Sequence, residues 1–124
     1  MASGKKILLV DDSETVIMFE KLMLRETGAE IGVARNGLEG LKMASSFCPD
    51  LIILDIMMPE LDGIETCRRL KSDPTTKEIP VVMVTTKGNP EKVEEAYLAG
   101  CNDFVTKPVD KVELLSKVKS LLVV

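Results

Sequence analysis

Five short apolar runs recur along the chain, at residues 7–10, 31–34, 51–54, 81–84 and 104–105, each followed by a polar loop and a segment with helical spacing. The first, third and fourth runs are continuous and aliphatic, as parallel strands covered on both faces are. They are expected at the centre of a sheet. The intervening segments place apolar residues three and four apart. These are Val16, Ile17, Phe19, Met23 and Leu24, then Leu38, Leu41, Met43 and Ala44, then Ile64, Cys67 and Leu70. Val93, Ala96, Tyr97 and Ala99 form the fourth group, and Val112, Leu115, Val118 and Leu122 the fifth.

The boundaries add local signals. Ser13 or Asp12 can cap the first helix and Gly28 can end it; Pro90 suits a first helical turn, Gly100 a helix end, and Asp110 with Glu113 a capping box. No linker, low-complexity stretch or repeat breaks the alternation. Strict strand–helix alternation predicts a parallel sheet with helices on both faces, joined by right-handed crossovers. The expected fold is an α/β, flavodoxin-like doubly wound domain of five strands and five helices over residues 1–124.

Composition narrows the function. A chain of 124 residues suits one domain and needs neither disulfide nor metal to hold it together. With 45% hydrophobic, 29% charged and only 3% aromatic residues, it reads as a soluble globular protein with an aliphatic core. Sixteen Lys and Arg against twenty Asp and Glu leave a net charge of −4, which argues against nucleic acid as a partner of this domain alone. Three cysteines without C-x-x-C spacing point to a reducing cytoplasm. The absence of His removes the usual zinc sets and all His-dependent catalysis. Neither a signal peptide nor a membrane-crossing run is visible.

In doubly wound sheets ligands bind beyond the carboxyl ends of the strands. Those ends carry Asp11 and Asp12 after the first run, Asp55 after the third, Thr85 after the fourth and Lys107 after the fifth. Singly, each has an ordinary explanation: the aspartates as caps, Thr85 as a β-branched strand end, Lys107 as a solvated surface residue. Together they are harder to dismiss. Three crowded carboxylates repel one another, so without a cation at least one should keep its proton. Oxygen ligands without His or Cys suit a hard cation, and Mg²⁺ fits best. Three carboxylates, one ammonium and one Mg²⁺ balance in charge, leaving room for a phosphoryl group beside Lys107 and Thr85. A carboxylate can itself be the nucleophile.

The motifs I-L-L-V-D-D (7–12), L-I-I-L-D-I-M-M-P-E-L-D-G (51–63), V-M-V-T-T (82–86) and F-V-T-K-P (104–108) resemble those of bacterial two-component response-regulator receiver domains, the CheY-like superfamily. The resemblance covers essentially the whole chain and implies strand order 2-1-3-4-5, an order for which the family's chemotaxis member is itself a standard example. It implies that Asp55 is the phosphoacceptor, that Asp12, Asp55 and the Met57 backbone carbonyl hold Mg²⁺, and that Asp11 acts through a bound water. Lys107 would pair with the acceptor and then with a phosphoryl oxygen, to which Thr85 would also donate. Pro108 would follow a cis peptide bond. Thr85 and Phe104 would form the switch, with Val93 and Tyr97 flanking an output face built from the fourth helix, fifth strand and fifth helix. Packing against the sheet is the alternative reading of Val93 and Tyr97.

The implied partners are a sensor histidine kinase or phosphotransfer protein and a downstream protein target or attached effector domain. The chain would then be a switch rather than an enzyme, either standing alone or forming the N-terminal receiver of a longer regulator. It departs from the common pattern at Thr86, bulkier than the usual small residue, at Met57 and Lys87, where phosphoryl lifetime is tuned, and at Phe104, which lacks a Tyr hydroxyl. An aspartyl phosphatase would want an acid where Met57 stands; a flavin protein would want a Ser/Thr-rich loop and more aromatics than the single Tyr97 supplies. The alternative that remains is a binding-only module with vestigial phosphorylation.

Overall fold

A computed structural model describes residues 4–86 and 88–122. The strands are β1 (Lys6–Val10), β2 (Glu30–Ala34), β3 (Leu51–Asp55), β4 (Val81–Thr86) and β5 (Asp103–Lys107). The helices are α1 (Glu14–Leu24), α2 (Gly37–Ser46), α3 (Gly63–Ser72), α4 (Pro90–Leu98) and α5 (Lys111–Leu122). All neighbouring strands pair in parallel, in the order β2-β1-β3-β4-β5. The aliphatic runs therefore occupy the three inner strands, as their lack of polar alternation required.

The period of two along each strand divides those runs between two cores. Leu8, Val10, Ile52, Leu54, Val81 and Met83 face α2, α3 and α4, meeting Ala44, Ile64, Cys67, Leu70 and Ala96. Ile7, Leu9, Leu51, Ile53, Val82, Val84 and Val105 face α1 and α5, meeting Ile17, Leu24, Leu114 and Val118. Every β3 residue is buried, which puts Asp55 at the end of the best-covered strand.

Local chemistry starts the helices that lead away from the site. Ser13 caps α1 by accepting from the Val16 amide at 3.3 Å. Asn36 and Asp62, which the sequence reading passed over, cap α2 and α3 through the Glu39 and Glu65 amides, each at 2.8 Å. Asp110 accepts from Glu113 N at 2.9 Å ahead of α5, and Pro90 opens α4. α1 does not run to Gly28: it ends at Leu24, and a 3-10 turn, Arg25–Thr27, intervenes before Gly28 takes a left-handed φ of 76°. Among the described residues, no helix is long and apolar enough to cross a membrane.

Candidate functional site

Parallel register brings the carboxyl ends of β1, β3, β4 and β5 to one edge, so residues far apart in sequence meet there. Val10 pairs with Leu54, Asp55 with Val84, Thr85 with Thr106, and Thr86 with Lys107. Asp11 follows β1 and is 1% exposed. Its amide donates to the Ala34 carbonyl at 3.1 Å, and its Oδ1 accepts from Ser13 N at 2.8 Å. Its Oδ2 is buried with no hydrogen-bond partner among the described residues. The adjacent Asp12 turns outward and is exposed. Asp55 is 2% exposed; its Oδ1 lies 3.3 Å from Lys107 Nζ and 3.4 Å from the Met57 amide. Thr85 is buried beside it at the end of β4.

The three carboxylates each offer an oxygen within 4.8 Å of the others. Burial pushes the Asp55 carboxyl up to about 6, and the field of Asp11 adds to the rise; Lys107 and the Met57 amide pull the other way. Asp11 is raised as well, chiefly by burial, against the stabilising Ser13 amide and Lys107. This donor set fits a hard divalent cation. It consists of oxygens alone, its charge is under-compensated by one ammonium, and it includes a buried oxygen with no hydrogen-bond partner among the described residues.

The sequence reading missed Glu20. It is 1% exposed on the buried face of α1, with Oε2 unpartnered among the described residues. Burial pushes its carboxyl up to about 8, Asp11 and Asp55 add to the rise, and Lys107 opposes it. A signal was present: Glu20 falls three residues after Ile17 and four before Leu24, an apolar position by helical period.

The remaining residues lie to one side of the acidic cluster. Phe104 is half-buried on β5, with its ring edge-on to Tyr97 at 6.0 Å and 87°. Lys117 Nζ stands 5.0 Å from the Phe104 ring centre. Tyr97 is exposed and its hydroxyl lies 3.5 Å from Asp103 Oδ1, whereas Val93 is half-buried. A cavity of about 310 Å³ beneath the start of α4 is lined by Thr86, Asn89, Pro90, Val93, Phe104 and Thr106, among others. Thr86 itself is exposed. The Lys107–Pro108 peptide bond is cis. Met57 is exposed just past β3, and Lys87 lies outside the described residues.

Comparison with known proteins gives one consistent picture. A family model described as "Response regulator receiver domain" matches residues 7–119. The chain is 42% identical over 117 residues to the response regulator PleD of Caulobacter vibrioides, covering 94% of this chain and 26% of PleD. It thus spans about a quarter of that relative's length. A crystal structure assigned to a response regulator of Chloroflexus aurantiacus J-10-fl superposes with a TM-score of 0.92 at 36% identity, covering 95% of this chain and 97% of that one. The receiver domain of the sensor histidine kinase PA1611 from Pseudomonas aeruginosa PAO1 superposes with a TM-score of 0.87 at 25% identity, covering 95% and 97%. That structure is described with a magnesium ion coordinated in its active-site cleft.

Proposed function

This chain belongs to the response regulator receiver domain family, and from that membership we propose that it is a phosphorylation-driven switch of a two-component phosphorelay with Asp55 as phosphoryl acceptor. The observation that carries the reading is the ion pair of a buried Asp55 with Lys107 beside two further carboxylates at one strand edge. An oxygen of the Asp55 carboxylate attacks the phosphorus of a phosphohistidine on a sensor kinase or phosphotransfer protein. A P–O bond forms, the P–N bond breaks, and the imidazole leaves with its electron pair. Lys107 pairs first with the carboxylate and then with a phosphoryl oxygen, and the Thr85 hydroxyl donates to another. Slow hydrolysis of the acyl phosphate by water then resets the switch.

Asp12, Asp55 and the Met57 carbonyl would hold Mg²⁺, with Asp11 acting through a water. When bound, the ion supplies positive charge that offsets the crowded carboxylates and the incoming phosphoryl oxygens. Output follows from the same charge change. Thr85 turns toward the phosphoryl group, and the Phe104 ring, which borders a cavity, swings and alters the α4–β5–α5 face carrying Val93 and Tyr97. A downstream protein, or an effector domain attached to this one, reads that face.

Labelling by acetyl phosphate with Mg²⁺ tests the reading. The wild-type chain takes up one phosphoryl group and Asp55→Asn takes up none. Persistent labelling of the variant moves the acceptor elsewhere. A wild type that stays unlabelled favours the binding-only alternative.

A further inference from the structure

Glu20 is out of keeping with its position. Its neighbours on the buried face of α1 are Ile17 and Leu24, so packing alone calls for an aliphatic side chain. A carboxylate there loses hydration, and Oε2 finds no hydrogen-bond partner among the described residues. The cation whose field acts on it is Lys107. Glu20 and Lys107 line the same cavity of about 320 Å³, whose other walls, Val16, Phe19, Met23, Pro108 and Val109, carry no formal charge. The Lys107 ammonium makes one ion pair among the described residues, with Asp55 Oδ1 at 3.3 Å, although it has three donors.

We propose that Glu20 is a positioning residue for Lys107, a second acidic seat that keeps the ammonium between α1 and Asp55 instead of letting it settle wholly on the acceptor carboxylate. An ammonium committed to the attacking oxygen ties up the lone pair that must reach phosphorus. One shared with Glu20 leaves that lone pair freer and stays mobile enough to follow the phosphoryl oxygens. This role rests on Asp55 being the acceptor. It also accounts for a costly group in the core, because rule-breaking buried charges tend to mark functional sites.

The full chain carrying Glu20→Gln or Glu20→Leu is the test. Both variants are expected to fold, the Leu variant with a raised melting temperature because it replaces a desolvated carboxylate with an apolar side chain. At pH 8.5, where the Glu20 carboxyl has given up its proton, both should take up label from acetyl phosphate several-fold more slowly at saturating Mg²⁺, with the half-saturating Mg²⁺ concentration unchanged, and Glu20→Asp should recover part of the rate. A purely packing role predicts wild-type labelling by the Leu variant, and that result overturns the proposal. A second measurement needs no phosphorylation. At pH 8.5 Lys107→Met strands the ionised Glu20 carboxylate, so it should lower the melting temperature more in the wild-type background than alongside Glu20→Gln. Equal shifts overturn the proposal. If the cycle shows this coupling while the wild type takes no label, the pairing stands and the acceptor role of Asp55 falls.

Discussion

Asp55 combines two properties that seldom coexist in a carboxylate: it is almost fully buried, and it lies beside both an ammonium and a second buried acid. Burial contributes most to its raised proton affinity, and the field of Asp11 comes second. In the metal-free protein, Asp11→Asn should therefore bring the Asp55 carboxyl down from about 6 while leaving it above its ordinary 3.8. Carbon-13 NMR titration of the carboxyl resonances reads this directly, and an unchanged or higher value would show that Asp11 exerts no field there. Asp12, although next in sequence, is exposed. Two adjacent aspartates thus enter the same site from different surroundings, one side chain buried and the other turned toward solvent.

The connection from β3 to α3 holds Asp55 in place through the backbone. Gly63 opens α3, and its amide donates to the Ile56 carbonyl at 2.8 Å, folding the loop back on the strand. A Cβ at Gly63 would overlap the Asp55 carbonyl and approach the Ile56 Cα to 2.8 Å, and neither backbone group can move without shifting Asp55. Gly63→Ala should cost about 1–3 kcal/mol in urea unfolding, as overpacking does, and slow labelling of Asp55 as well. Gly88→Ala makes the contrast: none of the described residues beyond its chain neighbours lies within 4 Å of a Cβ there, so its cost should come only from its positive φ of 75° and leave Asp55 unmoved. If Gly63→Ala matches wild type in both stability and labelling, the close approach does not constrain the site.

A sheet covered on both faces gives the molecule its stability, and the acidic edge subtracts from it. Asp55 and Glu20 titrate from ordinary values of 3.8 and 4.5 in the unfolded chain to about 6 and about 8 in the folded one. Over that interval the folded protein holds more protons than the unfolded chain, so stability falls as pH rises. Without metal, the contribution of these two groups is fully present below pH 4 and is lost as pH climbs through 6 and 8. The melting temperature in EDTA should drop between pH 5 and pH 8.5, by an amount on the order of a few kcal/mol in free energy. Asp55→Asn and Glu20→Gln should each flatten the profile. Mg²⁺ binding only the folded state should restore stability at the alkaline end, by about 2.7 kcal/mol at one hundred times its dissociation constant. A melting temperature that climbs from pH 5 to pH 8.5 in EDTA, or that ignores Mg²⁺ at pH 8.5, contradicts this account.

What could be read from the chain was what is local or periodic. Continuous aliphatic runs identified β1, β3 and β4 as inner strands, and cap chemistry marked Ser13, Pro90 and Asp110, because these signals act within one element. Strand-end positions nominated Asp11, Asp12, Asp55, Thr85 and Lys107, since parallel register brings such ends to one edge whatever the loops do. The rest depends on how separate elements meet. Burial of Glu20 follows from α1 lying against the turn after β5, and the Tyr97–Phe104 contact from the docking of α4 on the outer strand. Sequence period specifies which side of an element is apolar. Which charged side chains then share one dry pocket is set by distances across the folded sheet, and those distances decide how tightly each carboxylate holds its proton.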